Sequence, residues 1–146
     1  MNATIYNCKD ITLLDICPFT KFYFYLKKTA ILSLNYEEFL LFFCYRNFYP
    51  HLKDNYDVFN EEIYLKLKQL LRLLDYESYI FWDELFNTYD SLTIRKNLFN
   101  YDEDNKKVLK GTNLYLKNKN IFNECKIKIK NINPKFIVGD VRKVKL

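Results

Sequence analysis

The sequence predicts an α+β fold: a helical body of about four helices within residues 35–100, with a small antiparallel sheet built from the C-terminal third. The N-terminal segment is a candidate further strand of that sheet. Two observations carry this expectation. Apolar residues recur at helical spacing between Ile63 and Leu74, and they alternate with lysines after Leu114.

The helical region is justified element by element. Asn35 followed by Glu38 forms a capping box: the Asn side chain can accept from a first-turn N–H, and Glu38 can reach back to the N–H of Asn35. Tyr36, Phe39, Leu40, Phe43 and Asn47 then fall at helical spacing, and Pro50 ends the element. A second helix starts at Asn60, with Glu61 and Glu62 in the first turn, where the helix dipole favours acids. Ile63, Leu67, Leu70, Leu71 and Leu74 form its apolar stripe. A third helix covers Glu77 to Tyr89, with Tyr79, Trp82, Phe86 and Tyr89 on one face. A fourth, short helix runs from Ser91 to Phe99, capped by Asp90 or Ser91.

After a polar turn from Tyr101 to Lys107 the period changes to two. Leu114, Leu116, Ile127 and Ile129 alternate with Tyr115, Lys117, Lys126, Lys128 and Lys130, the pattern of strands with one solvated face. Residues 131–135 read as a turn, and Phe136, Ile137 and Val138 as another strand broken at Gly139-Asp140. Residues 1–34 read as strand or helix. Phe22, Phe24 and Leu26 alternate with Tyr23 and Tyr25, which suits a strand.

With 146 residues the chain has the size of one domain, so 1–146 is expected to share one core that needs no disulfide or metal. A hydrophobic fraction of 49% and a charged fraction of 28% fit a globular chain rather than a disordered one. The 13 Tyr and 13 Phe, with abundant Asn, Lys and Ile, match the codon usage of an AT-rich genome. Cys8, Cys17, Cys44 and Cys125 are sparse and form no CxxC pair, which argues against both a disulfide frame and zinc. Lys9, Asp10 and Asp15 break any apolar leader, and the apolar run from Phe39 to Tyr45 is short of the roughly 20 residues of a membrane span. These features predict a cytoplasmic or nuclear protein that is neither secreted nor membrane-spanning.

Catalytic patterns are missing from the sequence. His51 is the single histidine and follows Pro50 in an expected loop. Gly111 and Gly139 stand alone, whereas phosphate loops need clustered glycine. Asp102-Glu103-Asp104 opens like a calcium loop, but Lys106, Lys107 and Asn113 occupy positions that need other ligands or glycine. The pairs Glu37/Glu38, Glu61/Glu62 and Asp83/Glu84 are explained by helix starts and outer faces. The expectation is therefore a protein without enzymatic activity and without cofactor or metal.

Two binding surfaces stand out. Tyr79, Trp82, Phe86 and Tyr89 offer an aromatic helix face that suits a protein interface, in an adaptor or an accessory subunit of a larger assembly or in a homo-oligomer. Residues 1–100 carry a balance of −2 and residues 101–146 one of +7. Lys126, Lys128, Lys130, Lys135, Arg142, Lys143 and Lys145 are the corresponding candidates for contact with a nucleic-acid backbone. On a strand, Lys126, Lys128 and Lys130 would share one face. A protein partner is the leading expectation and nucleic acid the alternative.

Overall fold

A computed structural model describes residues 1–8, 10–43, 61–90, 93–94, 112–140 and 142–143. Its elements are α1 (Asn2–Ile5), β1 (Thr12–Asp15), α2 (Thr20–Ser33), α3 (Tyr36–Phe43), α4 (Glu61–Leu70), α5 (Tyr76–Thr88), α6 (Lys119–Ile129) and β2 (Lys135–Val138), with 3₁₀ turns at Leu71–Leu73 and Leu114–Leu116. The described fold is mixed and helix-rich, with a two-stranded sheet.

Helix α2 lies at the centre and packs against α3, α4, α5 and α6. Leu26, Ala30, Ile31 and the following Leu34 are buried at helical spacing. The Phe/Tyr alternation at residues 22–26 is therefore not a strand. Phe and Tyr differ too little in their wish to be buried to define two faces, and these rings find cover on two sides of the helix, toward α5 and toward β2. Phe22 stacks on Phe81 of α5 at 4.7 Å, Tyr23 packs near Trp82, and Phe24 and Tyr25 meet Phe136 of β2 at 5.6 and 5.8 Å. Asp15 shapes the entry to this helix by accepting from the Cys17 N–H and the Thr20 hydroxyl, both at 2.9 Å.

The expected capping box of α3 is present. Glu38 N–H donates to Asn35 Oδ1 at 2.9 Å, and Asn35 N–H donates to Glu38 Oε2 at 2.8 Å. Phe39, Leu40 and Phe43 are buried. Asn47, Pro50 and the rest of 44–60 lie outside the described residues. Along α4 and the 3₁₀ turn that follows it, Leu67 and Leu71 are buried and Leu70 and Leu74 half-buried, as the stripe predicts. The side chain of Ile63 lies outside the described residues. Helix α5 starts one residue early, at Tyr76, with Asp75 accepting from Ser78 N–H at 3.1 Å and Ser78 Oγ at 2.8 Å. Asp90 takes the expected capping role at the next turn, accepting from Thr93 N–H at 2.8 Å. The remainder of Ser91 to Phe99, like Tyr101 to Lys107, lies outside the described residues.

The C-terminal third departs most from expectation. Residues 119–129 form α6 rather than a strand, opened by Asn118, whose side chain accepts from Ile121 N–H at 3.0 Å. Phe122, Cys125 and Ile129 face the core, and Ile127 is 76% exposed. A strand would have buried Ile127 and Ile129 together; a period near 3.6 separates them. Leu114 to Leu116 likewise form a 3₁₀ turn, with both Tyr115 and Leu116 buried.

The sheet is parallel, not antiparallel. β1 pairs with β2 in the register Thr12↔Lys135, Leu13↔Phe136, Leu14↔Ile137 and Asp15↔Val138. Lys135 N–H to Ile11 O at 2.9 Å and Gly139 N–H to Asp15 O at 3.0 Å extend the ladder at both ends. A hairpin would force antiparallel pairing, but these two strands lie at opposite ends of a helical chain.

Candidate functional site

A cleft of about 730 Å³ opens between α2 and the start of α5. One wall is a single stripe of α2: Lys21, Tyr25, Lys28, Thr29, Leu32 and Ser33. These positions face away from the buried side of the helix, which carries Leu26, Ala30 and Ile31. The opposite wall is Leu73 to Glu77, where the 3₁₀ turn after α4 breaks before Asp75 caps α5. Lys130 and Asn133, just beyond α6, close one end.

Hydrogen bonds tie the walls together. Lys21 Nζ reaches Glu77 Oε2 across the cleft at 2.8 Å, and this bond holds the Lys21 ammonium above the usual lysine range. Tyr25 OH donates to Asn133 Oδ1 at 3.0 Å. Lys28 Nζ donates to the Ile132 carbonyl at 2.5 Å, and burial lowers its pKa. Two apolar side chains of the second wall stay in water: Leu73 is 67% exposed and Tyr76 79%. Ile80, one turn further along α5, is also exposed.

Of the aromatic face expected on α5, Trp82 and Phe86 belong to the core, and the Trp82 indole N–H donates to the Phe22 carbonyl at 3.0 Å. Tyr79 is half-buried against the core, and Tyr89 is exposed at the helix C-terminus. The apolar side chains that α5 leaves exposed beside the cleft are therefore Tyr76 and Ile80.

The C-terminal cations are dispersed. Lys126, Lys128 and Lys130 do not share a strand face, because α6 turns successive alternate residues to opposite sides. Lys126 Nζ donates to Leu34 O at 3.0 Å, while Lys128 bonds Ile5 O at 3.3 Å and the carboxylate of Glu124. Lys130 lines the cleft. Lys135 is exposed at the start of β2. Arg142 grips Asp140 in cis, with Nε at 2.9 Å from Oδ1 and Nη2 at 2.5 Å from Oδ2. Lys143 is exposed, and Lys145 lies outside the described residues, as do His51, Cys44 and Asp102 to Asp104. Glu37 pairs with Lys119 at 3.3 Å and Glu38 with Lys66 at 2.5 Å, so the first acidic pair braces helices.

Leu73, Tyr76 and Lys28 are functional candidates that the sequence pattern does not single out. Leu73 falls off the Leu67–Leu71–Leu74 stripe, and Tyr76 falls off the Tyr79–Trp82–Phe86 face; an apolar residue outside its element's stripe is the signal that marks both. Lys28 is masked by the strand-like alternation before it. No family model matches the chain, and neither a curated protein nor a solved structure matches it.

Proposed function

We propose that this protein is a non-enzymatic interaction module that docks a segment of a partner protein in the cleft between α2 and α5. The observation that carries this reading is the exposure of Leu73 and Tyr76 on the cleft wall, while Leu67, Leu71, Trp82 and Phe86 of the neighbouring turns are buried. A concave site with apolar side chains held in water and a few polar groups beside them gains from being covered. The sequence adds its own support: one histidine and two isolated glycines leave little material for common catalytic designs.

The test is a photo-crosslinking amino acid placed at Tyr76, with a control at exposed Asn120 of α6. A discrete protein adduct from position 76, reduced by Leu73→Ser and missing from position 120, is the expected result. Equal labelling from both positions, or none from position 76, would refute the reading. An adduct between two copies of the chain would make the partner a second copy.

A further inference from the structure

We infer that the segment this cleft takes is acidic, with carboxylates pairing with Lys28 and Lys130 and an apolar side chain resting on Leu73 and Tyr76; the inference rests on the docking reading above.

The charges of the cleft lead there. Its lining holds three cations, Lys21, Lys28 and Lys130, and two acids, Asp75 and Glu77. Both acids have hydrogen-bond partners in the fold, though the neutral donors on Asp75 leave its charge in place. Glu77 holds Lys21, and both carboxylate oxygens of Asp75 accept from Ser78. Lys28 and Lys130 have no carboxylate partner among the described residues. The ammonium of Lys28 gives one N–H to the Ile132 carbonyl and keeps two donors.

Lys28 is also half-buried, so an anion beside it is less screened than one beside a fully solvated lysine. Burial already disfavours its charge, and an incoming carboxylate would relieve that cost. Hydroxyls of Thr29 and Ser33 on the same wall supply neutral donors. The cleft lining thus keeps a net charge of +1 beside an exposed apolar lip. An acidic peptide with an interspersed large apolar residue complements both. A nucleic-acid backbone would match the lysines but leave Leu73 uncovered.

The experiment uses fluorescein-labelled short peptides alternating Glu with Leu, the same peptide with Gln for Glu, and an oligothymidine of equal length. Each is titrated by anisotropy at low salt, with amide shifts mapping the site. The expected result is that the Glu peptide binds and moves amides of both cleft walls, with the Gln peptide about tenfold weaker. Lys130→Gln, at an exposed position, and Lys28→Gln each weaken the Glu peptide severalfold, and added salt does the same. Equal binding of the Gln peptide, with Lys130→Gln silent, would overturn the acidic assignment while leaving docking intact. No shift in either wall, with the Tyr76 crosslink still formed, would do likewise. Tighter binding of oligothymidine through the same lysines would overturn it in favour of nucleic acid.

Discussion

Lys66 of α4 reaches Glu38 of α3, with Nζ 2.5 Å from Oε1, while the other oxygen of the same carboxylate accepts from the Asn35 N–H. One side chain thus caps its own helix and fastens the next. Burial pushes the Glu38 carboxyl up, but Lys66 and the Asn35 amide outweigh it and hold the pKa below its ordinary value. A depressed carboxylate contributes stability above its unfolded pKa, about 4.3, and loses it as pH falls through the folded value. Urea unfolding of the wild type should therefore lose stability on acidification below about pH 4.5, and Glu38→Gln should flatten that part of the profile. The pair is partly solvated, so its own worth at neutral pH is at most about 1 kcal/mol.

Asn35→Ala removes the side-chain half of the same box. We expect a loss of about 1 kcal/mol in equilibrium unfolding. An unchanged midpoint would mean that α3 is held by its buried face and the Glu38–Lys66 pair without help from the Asn35 side chain.

Trp82 fills the core between α2 and α5 and donates to the Phe22 carbonyl. Trp82→Phe should cost about 2 kcal/mol, combining a lost buried hydrogen bond with a small void; Trp82→Ala should cost about 4 kcal/mol. Thermal or denaturant melts check both values.

Phe136 is the side chain by which β2 leans on α2, through Phe24 and Tyr25. A two-stranded ladder is marginal without such packing. In Phe136→Ala, hydrogen exchange at the Lys135 and Gly139 amides should accelerate well before that of the α2 amides. Parallel acceleration of both would show that the ladder and the helical core open as one unit.

The cysteines among the described residues divide by exposure. Cys8 and Cys17 are exposed, whereas Cys125 is buried, lies 3.2 Å from the Thr4 hydroxyl, and has its thiol pushed up by burial. Alkylation followed by peptide mass mapping should label Cys8 and Cys17 within minutes and Cys125 only under denaturant. Prompt labelling of Cys125 would mean that α1 lifts readily from α6.

Much of the helical region is legible in the order of residues alone. The Asn35/Glu38 box, the Leu67–Leu71 stripe and the Asp90 cap need only residues three or four apart, and that spacing is what the backbone hydrogen bond imposes. The cleft is not legible in the same way. Its walls come from residues 21–33, 73–77 and 130–133, and its character depends on which lysines have already found partners.

Two regions show where local pattern fails. The Phe/Tyr alternation of α2 and the Ile/Lys alternation of α6 both imitate strands. Asn118 three residues before Ile121, and Phe122, Cys125 and Ile129 at helical spacing, are the competing signals in α6.

The caps, the apolar stripe that begins in α4 and the excess of cations in the last third are readable from residue order, because each rests on neighbours along the chain. Long-range packing is what makes β1 and β2 run parallel, buries Trp82 in the core, and ties Lys126 and Lys128 to backbone carbonyls while Lys130 lines the cleft. Those outcomes depend on contacts between segments far apart along the chain, whose geometry is set by the simultaneous packing of α2, α5 and α6 and by no single stretch of chain.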